Sequence, residues 1–415
     1  MADVTAGSGP SAFAPLAHLA DADAFRAEIR RWLGAVVPKD WSAGLVGKDG
    51  QTFLAFQRWW FAELIKVGLA TAHWPKAWGG EGLSILHSSI LNEELARADA
   101  PRPLIYTISL FHLPATLFAH GTPEQQKRYL TGVRDRGEIW CQGFSEPGAG
   151  SDLASLRTRA EKKIRPDGSA VYVINGQKVW SSFGMYADYY LLLARTDPHA
   201  AKKQAGISLF LMDLKSPGVT RRPIRQINGE AEFCEVFLDN VEVPAENIVG
   251  RENEGWSIAQ STLSAERGLI VIDLAERFSF EMRARLEEAR EGKLAWWSDA
   301  ERRRQFMRLY ARMIAVRKYA HRMIDELISD PHMSSSMTPV YVKLLYSELL
   351  QDYSEFMLAI DGLAGQIDRP TAIGSGKHSA NRFSDFLSSY SWTIAGGTNE
   401  ILKNVLAERG MGLPR

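Results

Sequence analysis

Cysteine is nearly absent from this sequence: Cys141 and Cys234 are the only two in 415 residues. With no CxxC pair and no Cys/His spacing, neither a disulfide framework nor a structural zinc is expected, no metal is expected, and a reducing compartment fits. Net charge is absent too. Lysine plus arginine and aspartate plus glutamate number 49 each, so no overall field draws the chain to nucleic acid or to an acidic membrane. No apolar run approaches the roughly 18 residues of a membrane span. Met1 to Pro15 lacks the basic start and apolar stretch of a secretory leader and the arginines of a transit peptide. A cytoplasmic protein is expected, long enough for two or three packed domains.

The chain reads as three regions without internal repeats. Residues 20–139 are helical, with FRAEIRRWLGAVV, QTFLAFQRWWFAELIKVG and LHSSILNEELARA placing apolar residues three and four apart. Thr122-Pro123-Glu124 opens a further helix, with threonine as N-cap. Residues 140–250 change texture to VYVINGQKVW, YYLLLART, GISLFLMDL and CEVFLDNVEVP, short β-rich runs that predict antiparallel strands. Asn175-Gly176 carries a hairpin-turn signal. Residues 251–415 return to long helices, interrupted by the loop DPHMSSSMTP and closed by a helix over about 399–409.

One loop stands out chemically. CQGFSEPGAGSDLA, from Cys141 to Ala154, combines three glycines, a proline and small hydroxyl residues, a backbone-rich segment that can approach a flat ligand closely. On composition alone an interdomain turn accounts for it equally well. The full string SEPGAGSD (145–152) resembles the flavin and thioester loop of the acyl-CoA dehydrogenase family. The resemblance continues in order through NGQKVWSSFGMYADYYLLLART, GISLFLMDLKSPGV, FCEVFLDNVEVPAENIVG and SWTIAGGTNEILKNVLAERGMGLPR, and upstream in WPKAWGGEGLS and GTPEQQKRYL. It spans roughly Phe25 to Arg415. The fold it implies is α+β: an N-terminal helical domain, a central antiparallel β domain and a C-terminal four-helix bundle.

The resemblance also assigns roles. Gln142, Phe144 and Ser145 would line an FAD cofactor. Trp180 would pack against its ring system, and Ser182 would donate near the reactive nitrogen, where a donor stabilises the reduced flavin. The competing fate of Trp180 is a core aromatic. Ser151 would contact the thioester portion of the acyl-CoA substrate, although a plain turn serine fits as well. Gly396-Gly397-Thr398 precedes the last helix, with Thr398 as N-cap and the free N–H groups favouring a diphosphate. Thr398 and Glu400 would touch that part of FAD.

Dehydrogenation takes the α-proton as H⁺ and the β-hydrogen as hydride, so a carboxylate base in a water-poor pocket is expected. Many family members carry it just before the terminal GT, where this chain has Gly396. The isovaleryl and long-chain branches carry it on the first bundle helix, before an arginine, and this chain has Glu266-Arg267 there. Leu263, Leu269 and Ile270 flank Glu266 at helical spacing, an apolar stripe on which a carboxylate is costly unless paired or functional. Glu266 is the expected base, with a structural ion pair as the alternative. Arg267 would lie toward CoA or buttress the base, and the Gly396 N–H would polarise the substrate carbonyl.

Two family features are missing. No Arg-x-x-Phe-Gly follows the base helix (ARLEEAREGKLAWWSDAERRRQF stands there), and the adenine-end turn is reduced to DGLAGQIDRPTAIGSG. A neighbouring subunit normally completes FAD through these segments. The chain therefore either uses other contacts, with Arg302, Arg303 and Arg304 as candidates, as a homo-oligomer, or pairs with a related chain in a bacterial heteromer. Electron-transferring flavoprotein is the expected acceptor. An oxidase or monooxygenase of the same fold, and a non-catalytic partner subunit, remain the alternatives.

Overall fold

In a computed structural model, residues 13–266, 269–330, 336–370 and 381–414 are described. The first region holds α1 (Ala22–Val36), α2 (Trp41–Leu45), α3 (Gly50–Lys66), α4 (Ile85–Arg97), α5 (Leu113–His120) and α6 (Pro123–Arg136). Helix starts follow local chemistry. Asp21 accepts from the Asp23 and Ala24 N–H groups, and Thr122 and Gln125 form a reciprocal capping box with Pro123 in the first turn. A π turn over Ile108–His112 leads into α5. Such turns concentrate at functional sites because the extra residue bulges the helix.

The central region is a sheet of eight strands among the described residues: β1 (Trp140–Gly143), β2 (Arg159–Ile164), β3 (Ala170–Ser182), β4 (Tyr189–Arg195), β5 (Ile207–Asp213), β6 (Val219–Ile224), β7 (Phe233–Pro244) and β8 (Ile248–Val249). Their order is β6-β7-β3-β2-β4-β5-β8. Pairing is mainly antiparallel, but β1 lies parallel on β4. β5 is buried at every position but its last, as a strand covered on both faces must be.

The hairpin expected at Asn175-Gly176 does not form. Both residues lie inside the continuous strand β3, at a register shift against β7 between Ile174 and Gly176. A Cβ at Gly176 would stand 2.7 Å from the Thr158 Cα, so this glycine permits close backbone approach rather than a turn.

The third region contains α7 (Gly255–Glu266), α8 (Leu269–Arg290), α9 (Ala300–Ser329), α10 (Thr338–Asp361), α11 (Arg382–Ser389), α12 (Ser391–Ile394) and α13 (Asn399–Val405), which runs on as a π turn over Leu406–Gly410. Part of the expected loop DPHMSSSMTP, residues 331–335, lies outside the described residues. One apolar core joins the N-terminal helices to the sheet, and a second fills the space between α8, α9 and α10. Buried charge fastens helices within each of the two regions. Glu94 on α4 is fully buried and pairs with Arg26 and Arg30 of α1 and with Arg97, each at 2.7 Å. Glu276 on α8 pairs with Arg317 and His321 of α9.

Burial alone would raise the Glu94 carboxyl, but hydrogen bonds from Arg30, Arg97 and Arg26 bring it below its ordinary value of 4.5. A depressed folded-state carboxylate contributes stability that is complete above its unfolded pKa and lost as pH falls through the folded value. Thermal midpoints measured from about pH 6 down to about pH 3 should therefore fall, with a shallower fall in Glu94→Gln. An unchanged slope in that variant would show that Glu94 does not carry the effect.

Candidate active site

The loop after β1 is held against β3 from two directions. The Val179 N–H donates to the Ser145 carbonyl at 3.0 Å. Beneath it, the fully buried Lys178 ammonium donates to the Phe144 carbonyl at 3.0 Å and to Glu146 at 2.9 Å. Glu146 also accepts the N–H groups of Arg157 (2.7 Å) and Thr158 (2.8 Å). Burial would raise this carboxyl, but the Lys178 charge and these hydrogen bonds pull it below the usual range. Desolvation in turn lowers Lys178 to about 8, with Glu146 opposing. A buried ion pair with all these hydrogen bonds fixes the path of residues 144–158. Sequence reading missed it. No local signal marked it, because Asn175, Gln177, Ser181 and Ser182 make this stretch of the strand read as polar.

Trp180 is not a core aromatic. It is 55% exposed and adopts φ +62°, a conformation rare for a bulky residue. The β3–β7 pairing is interrupted between Lys178 and Ser181, so the irregularity turns the indole out of the sheet against the edge of Phe233, at 5.9 Å. Backbone strain of this kind persists where surrounding structure enforces it, and it clusters at ligand sites. Ser182 follows, exposed and paired in register with Phe233. Gln142, on β1, has a buried Nε2 with no hydrogen-bond partner among the described residues. An orphaned amide donor is expensive unless a ligand oxygen meets it. Phe144 is buried, Ser145 half-buried, and Ser151 exposed on the outer turn.

The second expected cluster sits on α10. Lys343 donates to the Gly397 carbonyl (2.8 Å) and to Asn399 (2.7 Å), which fixes the turn. Thr398 caps α13 by accepting the Ile401 N–H at 3.2 Å, and Glu400 is exposed in the first turn. Gly396 has φ +67° and open space where a side chain would project, so this turn supplies a backbone N–H and no carboxylate. Glu266 is the last residue of α7, and its side chain and all of Arg267 lie outside the described residues. α7 itself is tied to α5 by a buried Thr116–Thr262 hydrogen bond of 2.6 Å. Arg302, Arg303 and Arg304 have local partners: Asp299, the Trp297 carbonyl and Glu301 respectively.

A cavity of about 890 Å³, open mouth included, lies between α4, α8 and the Ile108–His112 turn. Leu91, Leu95, Leu110 and Phe111 make much of it apolar, while His73, Arg102, Asp273 and Arg277 add polar groups. The same turn reaches the sheet: Ser109 accepts the Trp140 N–H at 2.9 Å and donates to the Glu138 carbonyl.

Three family models match in chain order: the acyl-CoA dehydrogenase N-terminal domain over residues 20–136, the middle domain over 141–241 and the C-terminal domain over 253–411. The acyl-CoA dehydrogenase IpdE1 of Mycolicibacterium smegmatis is 37% identical over 401 residues, 94% of this chain and 97% of that one. The chain belongs to the acyl-CoA dehydrogenase family. IpdE1 of Mycobacterium tuberculosis is also 37% identical, over 95% of this chain and 98% of its own. Among solved structures, the Tcur3481-Tcur3483 steroid ACAD is 29% identical with a TM-score of 0.78, covering 95% of this chain and 98% of that one. The ChsE4-ChsE5 complex of Mycobacterium tuberculosis is 27% identical with a TM-score of 0.73, covering 94% and 98%. As an acyl-CoA dehydrogenase the protein is an oxidoreductase whose family implies a flavin. The orphaned Gln142 amide and the outward, exposed Trp180 face fit a flat, oxygen-rich ring system. Among the described residues no helix is long and apolar enough to cross a membrane, and no metal-binding cluster occurs.

Proposed function

We propose that this protein dehydrogenates an acyl-CoA thioester between its α and β carbons, with Glu266 taking the α-proton. The observation that carries this reading is an outward, strained Trp180 on β3 together with an unsatisfied buried Gln142 amide on β1, the two strands that hold a loop braced from below. Bound FAD would supply the hydride acceptor. Gln142, Phe144, Ser145, Trp180 and Ser182 would hold its ring end, and Thr398 and Glu400 its diphosphate. The Gly396 N–H would hydrogen-bond the thioester carbonyl and make the α-proton more acidic, a role that needs no side chain. Ser151 and Arg267 would bind the thioester and CoA side. Seated in a largely apolar cavity, the acyl group would exclude water and keep the Glu266 carboxylate basic.

The cavity wall is largely apolar, and a solved relative is titled a steroid ACAD, so a bulky alicyclic acyl group is the proposed substrate class. Electron-transferring flavoprotein would reoxidise the enzyme in the bacterial cytoplasm. A heteromer with a second acyl-CoA dehydrogenase chain is proposed to complete FAD, because Arg302, Arg303 and Arg304 are engaged locally and two solved relatives have paired names. Coexpression with a genomically adjacent homologue should give one heteromeric peak on size exclusion and raise FAD content above that of the chain alone. Full flavin occupancy per chain in the protein expressed alone would remove the heteromer. Anaerobic bleaching of the flavin by alicyclic acyl-CoA thioesters tests the activity itself.

A further inference from the structure

The cavity beside the Ile108–His112 turn has a feature that an all-hydrocarbon acyl chain would leave unused. His73 lines it, stacked on Phe111 with ring centroids 5.0 Å apart. The His73 Nε2 lies 2.9 Å from the Leu110 carbonyl oxygen. A carbonyl can only accept, so Nε2 carries the ring proton. Burial lowers the basicity of the ring and keeps it neutral, which leaves a lone pair on Nδ1. Among the described residues no hydrogen bond reaches that nitrogen. The wall at His73 therefore offers an acceptor and requires a donor.

Arg102 offers the opposite. Asp273 holds its Nε at 3.1 Å and binds Arg277 Nε at 2.8 Å through the other carboxylate oxygen, while Arg277 also donates to the Ala100 carbonyl at 2.9 Å. One carboxylate thus fixes two guanidinium groups in the cavity wall. A guanidinium is donor-only, with N–H groups beyond the one taken by Asp273. Asp273 lies against both guanidinium groups and Asp99 stands 3.9 Å from Arg277, so two carboxylates already match the two cations and the site favours a neutral oxygen over a further carboxylate.

Resting on the acyl-CoA reading above, we infer that this cavity is a subsite for an acyl group carrying neutral oxygen functions, hydroxyl or oxo. A hydroxyl donates to His73 Nδ1, and a hydroxyl or oxo oxygen accepts from Arg102. A plain hydrocarbon would desolvate both groups without replacing their hydrogen bonds, and sites of that kind discriminate strongly against the analogue lacking the oxygen.

The test uses the holoenzyme, with its partner chain if one is required, and three probes: cyclohexylpropanoyl-CoA and its ring-hydroxylated and ring-oxo counterparts. Calorimetric Kd values should favour the oxygenated thioesters by roughly tenfold or more. His73→Phe should remove the preference for the hydroxyl, and Arg102→Met the preference for the oxo group. Equal affinity of the wild-type protein for all three thioesters overturns the inference without recourse to any variant, as do preferences that survive both substitutions. Flavin bleaching is scored separately. A yellow protein that binds the oxygenated thioesters selectively but is never bleached by them would keep the subsite and sink the dehydrogenase reading.

Discussion

Holoenzyme carrying Glu266→Gln is expected to keep its flavin and to bleach on the order of 10²–10⁴-fold more slowly with an acyl-CoA substrate. The substitution preserves shape and removes the basic oxygen, so the loss isolates proton abstraction. Rates at the wild-type level under anaerobic single-turnover conditions would mean that another group takes the α-proton. The terminal turn cannot be that group in this chain, because Gly396 carries no side chain. Space is open there, so adding Gly396→Glu to the Glu266→Gln enzyme asks whether a carboxylate at that turn restores bleaching. Its φ of +67° disfavours any side chain, by roughly 1–2 kcal/mol, so restoration should be partial.

Lys178→Met should be the most destabilising single change in the sheet, by about 3–5 kcal/mol in denaturant unfolding. Two effects combine. The Glu146 carboxylate loses its counter-ion at a site only 8% exposed, and the Phe144 carbonyl loses its donor. The Arg157 and Thr158 N–H groups remain on Glu146, which argues for the lower part of that range. Adding Glu146→Gln to Lys178→Met should recover part of the loss, since an amide tolerates burial better than an unpaired carboxylate. Flavin content should fall with the single substitution, because the Phe144–Ser145 segment rests on that lysine. A change below about 1 kcal/mol would mean that the loop is held by its backbone contacts alone.

Periodicity carried the architecture. Apolar residues three and four apart marked α1, α3 and α4, and β-branched runs bounded by turn residues marked β3, β4, β5 and β7. Where the reading failed, a tertiary contact had overridden a local signal. Asn175-Gly176 has hairpin chemistry, but packing against Thr158 makes that glycine part of a strand. The loop motif was legible because contiguous residues form it. Its brace was not, since nothing local tells a buried lysine from a solvated one until Glu146 stands beside it. The cavity was invisible for a stronger reason: His73, Leu95, Arg102, Phe111 and Asp273 meet only after separate segments have packed.

The turn at Ile108–His112 divides its residues between two tasks. Ser109 is bound to the strand that leads into the proposed flavin loop, whereas Leu110 and Phe111 form the wall of the neighbouring cavity. Inheritance can therefore act on the two separately. Exchanges at the cavity-facing positions can retune which molecules are accepted while the serine keeps the redox apparatus in register. A lineage built on this turn can diversify its diet one side chain at a time without rebuilding its engine.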